Sequence, residues 1–180
     1  MGTPAPAPAV VVVMGVAASG KSTVGRLLAR RRGVPFVEGD DLQPAGNIAR
    51  MSAGEALDDE DRRPWLQALA ARVRAATERG EGAVIACSAL RYEYRRLLRA
   101  AGPGVWFLHL ALDPAVARTR IARRTGHFMP PALLGSQYDA LEPLREDEPG
   151  LTVDAALGPE AIVLLARTGV AEFEAGGPPD

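Results

Sequence analysis

The chain has 180 residues, 47% of them hydrophobic and 24% charged, with a formal net charge of −1. That length suits one domain with a sizeable core, and the balanced charge gives no support to non-specific nucleic-acid binding. A single cysteine, Cys87, excludes an internal disulfide framework and fits a reducing compartment.

Residues 1–9 (MGTPAPAPA) lack the basic start and apolar middle of a secretion signal. They read as a disordered tail, and residues 175–180 as another, leaving a single domain over 10–174. No run approaches the roughly 18 apolar residues of a membrane span. The expected location is the cytoplasm, with no membrane partner.

Val10 to Met14 is four valines and a methionine, the pattern of a parallel strand buried on both faces. Gly15 to Ser22 then spells G-x-x-x-x-G-K-S, a phosphate-binding loop. Val24, Leu27 and Leu28 share one face of the helix behind it, which stops at Gly33. The bland reading is a Gly/Ser-rich turn, and the strand before and helix after argue against it. In such a loop Gly15, Ala17, Ala18, Ser19, Gly20, Lys21, Ser22 and Thr23 close around nucleotide phosphates, aided by the positive end of the helix. Lys21 is expected to reach the β- and γ-phosphates and the Ser22 hydroxyl to ligate magnesium. Lys21 is also the only lysine in the chain, against twenty arginines. A point charge on a thin stem survives where a planar guanidinium is no substitute.

Val34 to Val37 is a short strand ending at Glu38-Gly39-Asp40-Asp41. These carboxylates either face the ligand crevice at the carboxyl end of a parallel strand or form a solvated acidic turn. Leu42 to Asp59 reads as a loop, long enough to suggest a functional, mobile segment. Asp58 to Asp61 precedes a helix with Pro64 in its first turn and an apolar stripe of Trp65, Leu66, Leu69 and Val73, ending at Gly80. Trp65 is read as a core anchor. Ala83 to Cys87 is the third strand, followed by Ser88-Ala89-Leu90-Arg91 and a helix with Tyr94, Leu97, Leu98 and Ala101 on one side. Of its arginines, Arg91 and Arg95 lie in the first turns, nearest a strand-end crevice, while Arg96 and Arg99 read as a solvated face.

Trp106 to Leu112 is the fourth strand, with His109 as a satisfied core histidine. Asp113-Pro114 caps a helix that ends in Arg118, Arg120, Arg123 and Arg124, before Thr125-Gly126-His127-Phe128-Met129-Pro130. Those arginines suit either a lid over phosphates or plain placement against a helix dipole. Pro131 opens a helix with Leu134, Gln137, Tyr138 and Leu141 on one stripe. Leu151 to Asp154 is a fifth strand, and Gly158-Pro159 starts a last helix with Ile162, Leu165 and Ala166 facing inward. Five strands alternating with helices make an α/β protein, a five-stranded parallel sheet with helices on both faces.

Four blocks beyond the loop carry a resemblance: Glu38 to Leu42 with Asn47 and Met51; Leu57 through Asp61-Arg62-Arg63-Pro64-Trp65-Leu66; Cys87 to Arg91 with Tyr94-Arg95; and Gly126 to Pro130 with Leu133-Leu134 and Ser136-Gln137. With them the chain resembles the bacterial gluconate kinase (gluconokinase) family, among the small P-loop metabolite kinases that also include shikimate kinase. The resemblance covers roughly 10–170. It departs where that family usually has serine and glycine and this chain has Ala17 and Ala18. Alanine suffices there unless φ is positive. Gln43 replaces a family histidine, keeping a donor but losing a proton carrier, and Arg91 replaces a frequent lysine.

The resemblance implies a P-loop nucleoside-triphosphate hydrolase fold of the nucleoside-monophosphate-kinase-like kind. A lid is expected at about 120–136 and a mobile substrate segment at about 42–63. It implies transfer of the γ-phosphoryl of ATP to the 6-hydroxyl of D-gluconate, with ATP and Mg²⁺ as cofactors; a homodimer is allowed, and the balanced charge leaves no nucleic-acid partner expected. In that reading Asp40 sits beside the acceptor hydroxyl and Arg120 and Arg124 clamp phosphate. Arg62, Arg91, Arg95, His127 and Gln137 are the candidates for the sugar acid. The rival readings are a kinase of another sugar acid or shikimate, and a non-catalytic ATP-binding regulatory factor.

Overall fold

A computed structural model of the chain describes residue 5 and residues 7–124 and 130–176. Its five strands are β1 (Val10–Met14), β2 (Phe36–Glu38), β3 (Ala83–Ala86), β4 (Val105–Ala111) and β5 (Gly150–Asp154). They form one parallel sheet in the order β2-β3-β1-β4-β5. Seven helices accompany them among the described residues: α1 (Lys21–Arg32), α2 (Ala45–Ser52), α3 (Asp59–Arg79), α4 (Tyr92–Ala100), α5 (Pro114–Ala122), α6 (Leu134–Ala140) and α7 (Pro159–Gly176).

β1 is the centre of the sheet, and its period-two geometry explains its composition. Val11 and Val13 point into a core shared with Leu28, Leu108, Ile162 and Ala166. Val10, Val12 and Met14 point into the opposite core, with Trp65, Leu69, Val73 and Leu98. All five β1 residues are buried. Burying one such side chain contributes about 1.5–3 kcal/mol, so the strand needs apolar residues at every position, not at alternate ones. β1 lies between β3 and β4. The chain therefore leaves β1 to build one half of the sheet and returns to build the other. Such a reversal opens a crevice at the carboxyl ends of the central strands.

Several boundaries differ from expectation. The segment from Leu42 to Asp59 is not simply a loop: a 3₁₀ turn at Gly39–Leu42 and then α2 occupy its first half. α2 is short, and of its eight residues only Asn47 and Met51, one of them polar, are buried. Met51 joins just Leu57 and Leu133 in a small satellite cluster. α3 begins earlier than Pro64 suggests. Asp58 is its N-cap, and a capping box closes it: the Asp61 N–H donates to Asp58 Oδ1 at 2.8 Å and the Asp58 N–H to Asp61 Oδ2 at 3.0 Å. Pro64 thus lies inside the helix, past its first turn.

The N-terminal tail ends sooner than expected. Ala9 is fully buried and its N–H donates to Glu174 Oε1 at 2.8 Å. α7 runs on to Gly176. On α7 the inward stripe is Ile162, Val163, Ala166 and Val170, whereas Leu165 is 44% exposed. His109 does lie in the core, but its Nδ1 has no hydrogen-bond partner among the described residues. Burial, with the Arg95 guanidinium nearby, pushes its pKa down to about 4. No helix among the described residues is long and apolar enough to cross a membrane.

Candidate active site

The crevice holds the loop expected from G-x-x-x-x-G-K-S, set between β1 and α1. Two glycines are required by geometry. A Cβ on Gly15, at φ +151°, would meet Ser19 Oγ at 2.7 Å and Leu110 O at 2.8 Å, and Gly20, the N-cap of α1, has φ +96°. Ala18 also sits in the left-handed region, at φ +68°. This is the condition under which alanine is strained, so alanine at this position carries a conformational cost. Lys21 Nζ donates to Val16 O at 3.0 Å, lying back along the loop. Burial lowers the Lys21 pKa, the Asp40 carboxylate opposes that shift, and the Arg124 guanidinium adds to it. Lys21 therefore shares one electrostatic environment with Asp40 and Arg124. The Ser22 hydroxyl donates to the Glu38 carboxylate, so Glu38 faces the crevice, one of the two readings its sequence position allowed.

On the far side of Lys21 a cavity opens. Its lining brings together Ala17, Ala18, Gly20, Lys21, Ser22 and Thr23 with Glu38, Asp40, Arg62, Tyr94, Arg124 and Gln137. Asp40 is placed by its neighbour: a Cβ on Gly39 would come within 2.3 Å of Ala86 O, so only glycine lets the turn pack on the end of β3. Trp65 Nε1 donates to Gly39 O at 2.8 Å and fixes the same turn. Trp65 is a core anchor, as expected, and also lines the cavity. Asp41, next in sequence, is exposed and absent from the lining. Gln137 reaches back from α6 so that its Oε1 accepts from the Ala17 N–H at 2.6 Å. Gln43 lines the cavity too, and its Oε1 accepts from Asn47 Nδ2 at 3.2 Å.

The arginine candidates separate. Arg62 lines the cavity, and its Nη1 donates to the Tyr94 hydroxyl at 3.0 Å, while that hydroxyl donates to Asp59. Arg91 stays outside the lining, exposed, with Nη1 3.8 Å from Asp59. Arg95 is a correction. Its side chain is fully buried, paired with Glu148, and turned away from the cavity. An amphipathic helix with arginine in its first turn gave no sign of this, because the partner carboxylate lies 53 residues further on. His127 and the segment 125–129 lie outside the described residues.

A second cavity continues from the loop on the other side of Arg124. It is lined by Ala18, Ser19, Gly20 and Thr23, by Arg120, Arg123 and Arg124, and by Ala155, Leu157, Pro159 and Ile162. Arg120 Nη1 donates to Ala18 O at 3.1 Å and Nη2 to Ala155 O at 3.3 Å, so its guanidinium braces the loop's backbone against the segment after β5. Sequence reasoning read Gly158-Pro159 only as a helix start and gave Ala155 to Leu157 no role. The usable signal was the segment's place at the carboxyl end of β5, on the same edge as the loop.

A family model described as an AAA domain (AAA_33) matches residues 10–144. The gluconokinase of Gluconobacter oxydans (strain 621H) is 42% identical over 156 residues, 87% of this chain and 88% of its own length. The thermosensitive gluconokinase of Escherichia coli (strain K12) is 45% identical over 137 residues, 76% of this chain and 73% of its own. A crystal structure of a gluconokinase from Sinorhizobium meliloti 1021 superposes with a TM-score of 0.84 at 42% identity, covering 95% of this chain and 96% of that one. A phosphate loop in the crevice of a 2-3-1-4-5 sheet, an acidic and arginine-lined cavity beside it, and relatives this similar over most of their length lead to one conclusion: the chain belongs to the gluconokinase family of P-loop kinases.

Proposed function

We propose that the protein is a gluconokinase that moves the γ-phosphoryl group of ATP to the 6-hydroxyl of D-gluconate. The bond from phosphorus to the acceptor oxygen forms as the bond to the β–γ bridging oxygen breaks. ADP leaves with that electron pair, and the hydroxyl proton passes toward Asp40. The observation that carries this reading is a single cavity with Lys21 and Ser22 on one wall and Asp40 and Arg62 on another. It gives a phosphoryl donor and an anionic polyol one shared space. Transfer of this kind depends on positioning and charge stabilisation more than on covalent chemistry.

Each wall has its task. The loop's N–H groups and Lys21 hold the β- and γ-phosphates, and Arg124, at the junction of the two cavities, faces charge that develops during transfer. Asp40 orients the acceptor hydroxyl. Arg62 is the arginine left to hold the acceptor's carboxylate: Arg95 is consumed by Glu148 and Arg91 stands outside the cavity. A guanidinium fits a carboxylate bidentately. The second cavity takes the nucleoside of ATP. Ser22 and Glu38 present hydroxyl and carboxylate oxygens side by side, the hard donors that Mg²⁺ prefers, and they are the residues that would hold it. Bound there, the ion would neutralise phosphate charge. A cytoplasmic location agrees with the free, buried thiol of Cys87.

The test is ADP release from ATP and Mg²⁺ with a panel of gluconate, other sugar acids, glucose and shikimate. Gluconate should give the highest kcat/KM. Turnover of another member with gluconate at the buffer rate would overturn the assignment.

A further inference from the structure

Arg95 and Glu148 form an ion pair whose side chains are both fully buried. Arg95 Nε donates to Glu148 Oε1 at 2.6 Å and Nη2 to Oε2 at 3.0 Å, a bidentate fork. His109, which burial keeps neutral, lies near the Arg95 guanidinium. Buried pairs of this kind are a poor source of stability. Apolar residues of similar size often do as well or better, so their presence calls for another explanation.

The remaining donors supply one. Arg95 Nη1 donates to Ala89 O at 3.0 Å and to Leu90 O at 3.1 Å. Ala89 is one of two non-glycine residues at positive φ among the described residues, at +43°. Its neighbours Ser88 and Leu90 line the cavity. Leu90 O also accepts from the Glu142 N–H at 2.8 Å, and Glu148 Oε2 accepts from the Arg145 N–H at 2.8 Å. One buried guanidinium thus ties the segment before β5 to a turn that alanine does not favour. The other end of the turn is held separately, by the Gly15 N–H on Ser88 O at 3.3 Å.

We propose that Arg95 and Glu148 are positioning residues for the acceptor: they hold the Ser88-Ala89-Leu90 turn in its left-handed form and so set the wall against which the sugar acid is placed. The pair touches no substrate. Its effect falls on the acceptor, because the nucleotide side of the turn is anchored through Gly15. This inference rests on the gluconokinase reading for the identity of the acceptor only.

The experiment is steady-state kinetics with melting curves for the double variant Arg95→Met/Glu148→Leu and for Glu148→Gln, beside the wild type. The double variant leaves no buried charge unpaired. Glu148→Gln keeps the shape of the side chain and supplies the reading if the double variant does not fold. Misplacing a reacting group by a fraction of an ångström is felt as a tenfold effect or more. The expected result is a rise in KM for gluconate of about tenfold or more, with KM for ATP within about twofold of wild type. A pair with a purely structural role would lower the melting temperature or the active fraction and leave the gluconate KM unchanged; that outcome overturns the proposal. Should the wild type prefer a different acceptor, the substrate reading falls by itself, and the same comparison of KM values is made with that acceptor.

Discussion

On the side proposed for the phosphates the cleft is lined by residues of one short stretch, Ala17, Ala18 and Gly20 to Thr23, which would work largely through backbone N–H groups. On the side proposed for the acceptor, Asp40, Arg62, Tyr94 and Gln137 come from the turn after β2, the start of α3, α4 and α6, and would work through side chains. An anion nest needs a backbone shape, and a short stretch with glycine where φ demands it supplies one. A sugar acid must be distinguished by the position of its hydroxyls and carboxylate. That takes directional groups approaching from several sides. The first wall should therefore tolerate exchanges that keep its backbone, and the second should fail one side chain at a time.

The sharpest test of the second wall is Asp40→Asn. It should retain fold and ATP affinity and lose on the order of 10²–10⁴ in kcat, as expected for one well-placed proton acceptor. Isothermal ATP titration beside turnover measurements checks this. Near wild-type turnover would move the role away from Asp40, although Asp41 is a poor substitute because it is exposed.

Lys21 is the exception on the first wall, a side chain in a backbone site. Lys21→Ala should cost on the order of 10²–10³ in kcat, and Lys21→Arg nearly as much, because a planar fork displaces the γ-phosphate from its line to the acceptor. Melting temperatures should not change. Lys21→Arg with turnover within about threefold of wild type, under 1 kcal/mol of barrier, would mean that positive charge of any shape suffices.

Arg62→Met comes next. Losing a charged hydrogen-bonding partner, worth about 1.5–3 kcal/mol, should raise the gluconate KM about 10- to 100-fold. A neutral sugar alcohol of the same length should be used no worse than by wild type. An equal loss for both acceptors would show that Arg62 does not read the carboxylate.

The smallest effect is the one that best isolates backbone shape. Ala18 at φ +68° bears a strain of roughly 1–2 kcal/mol, and glycine's extra unfolded-state entropy offsets ~0.4–1 of it. Ala18→Gly should therefore raise the melting temperature by about 2 °C with kcat and both KM values unchanged. A fall in melting temperature would show that the left-handed turn costs alanine nothing here.

Much of this was legible along the chain because it depends on neighbours in sequence. The run of Val10 to Met14, the G-x-x-x-x-G-K-S spacing and the Asp113-Pro114 start of α5 each specify local geometry. The strand–loop–helix unit follows from them whatever the rest of the fold does. The alternation of strands and helices predicted the parallel sheet for the same reason. α2 escaped because it is only eight residues long and one of its two buried residues, Asn47, is polar.

Arg95 and Arg62 show what sequence spacing could not settle. Both are arginines near helix starts in blocks that resemble one family. One ends inside the protein on Glu148 and the other opens into the cavity. The folded chain brings the Glu148 carboxylate within 3 Å of the Arg95 guanidinium, whereas Arg62 meets the Tyr94 hydroxyl; a contact across 53 residues is fixed by how α4 packs against the segment before β5. The sequence alone determined the sheet, the phosphate loop and the kind of chemistry, since those rest on backbone geometry and local periodicity. The tertiary structure decided which charges remain available for a ligand, because burial and pairing are properties of the packed chain.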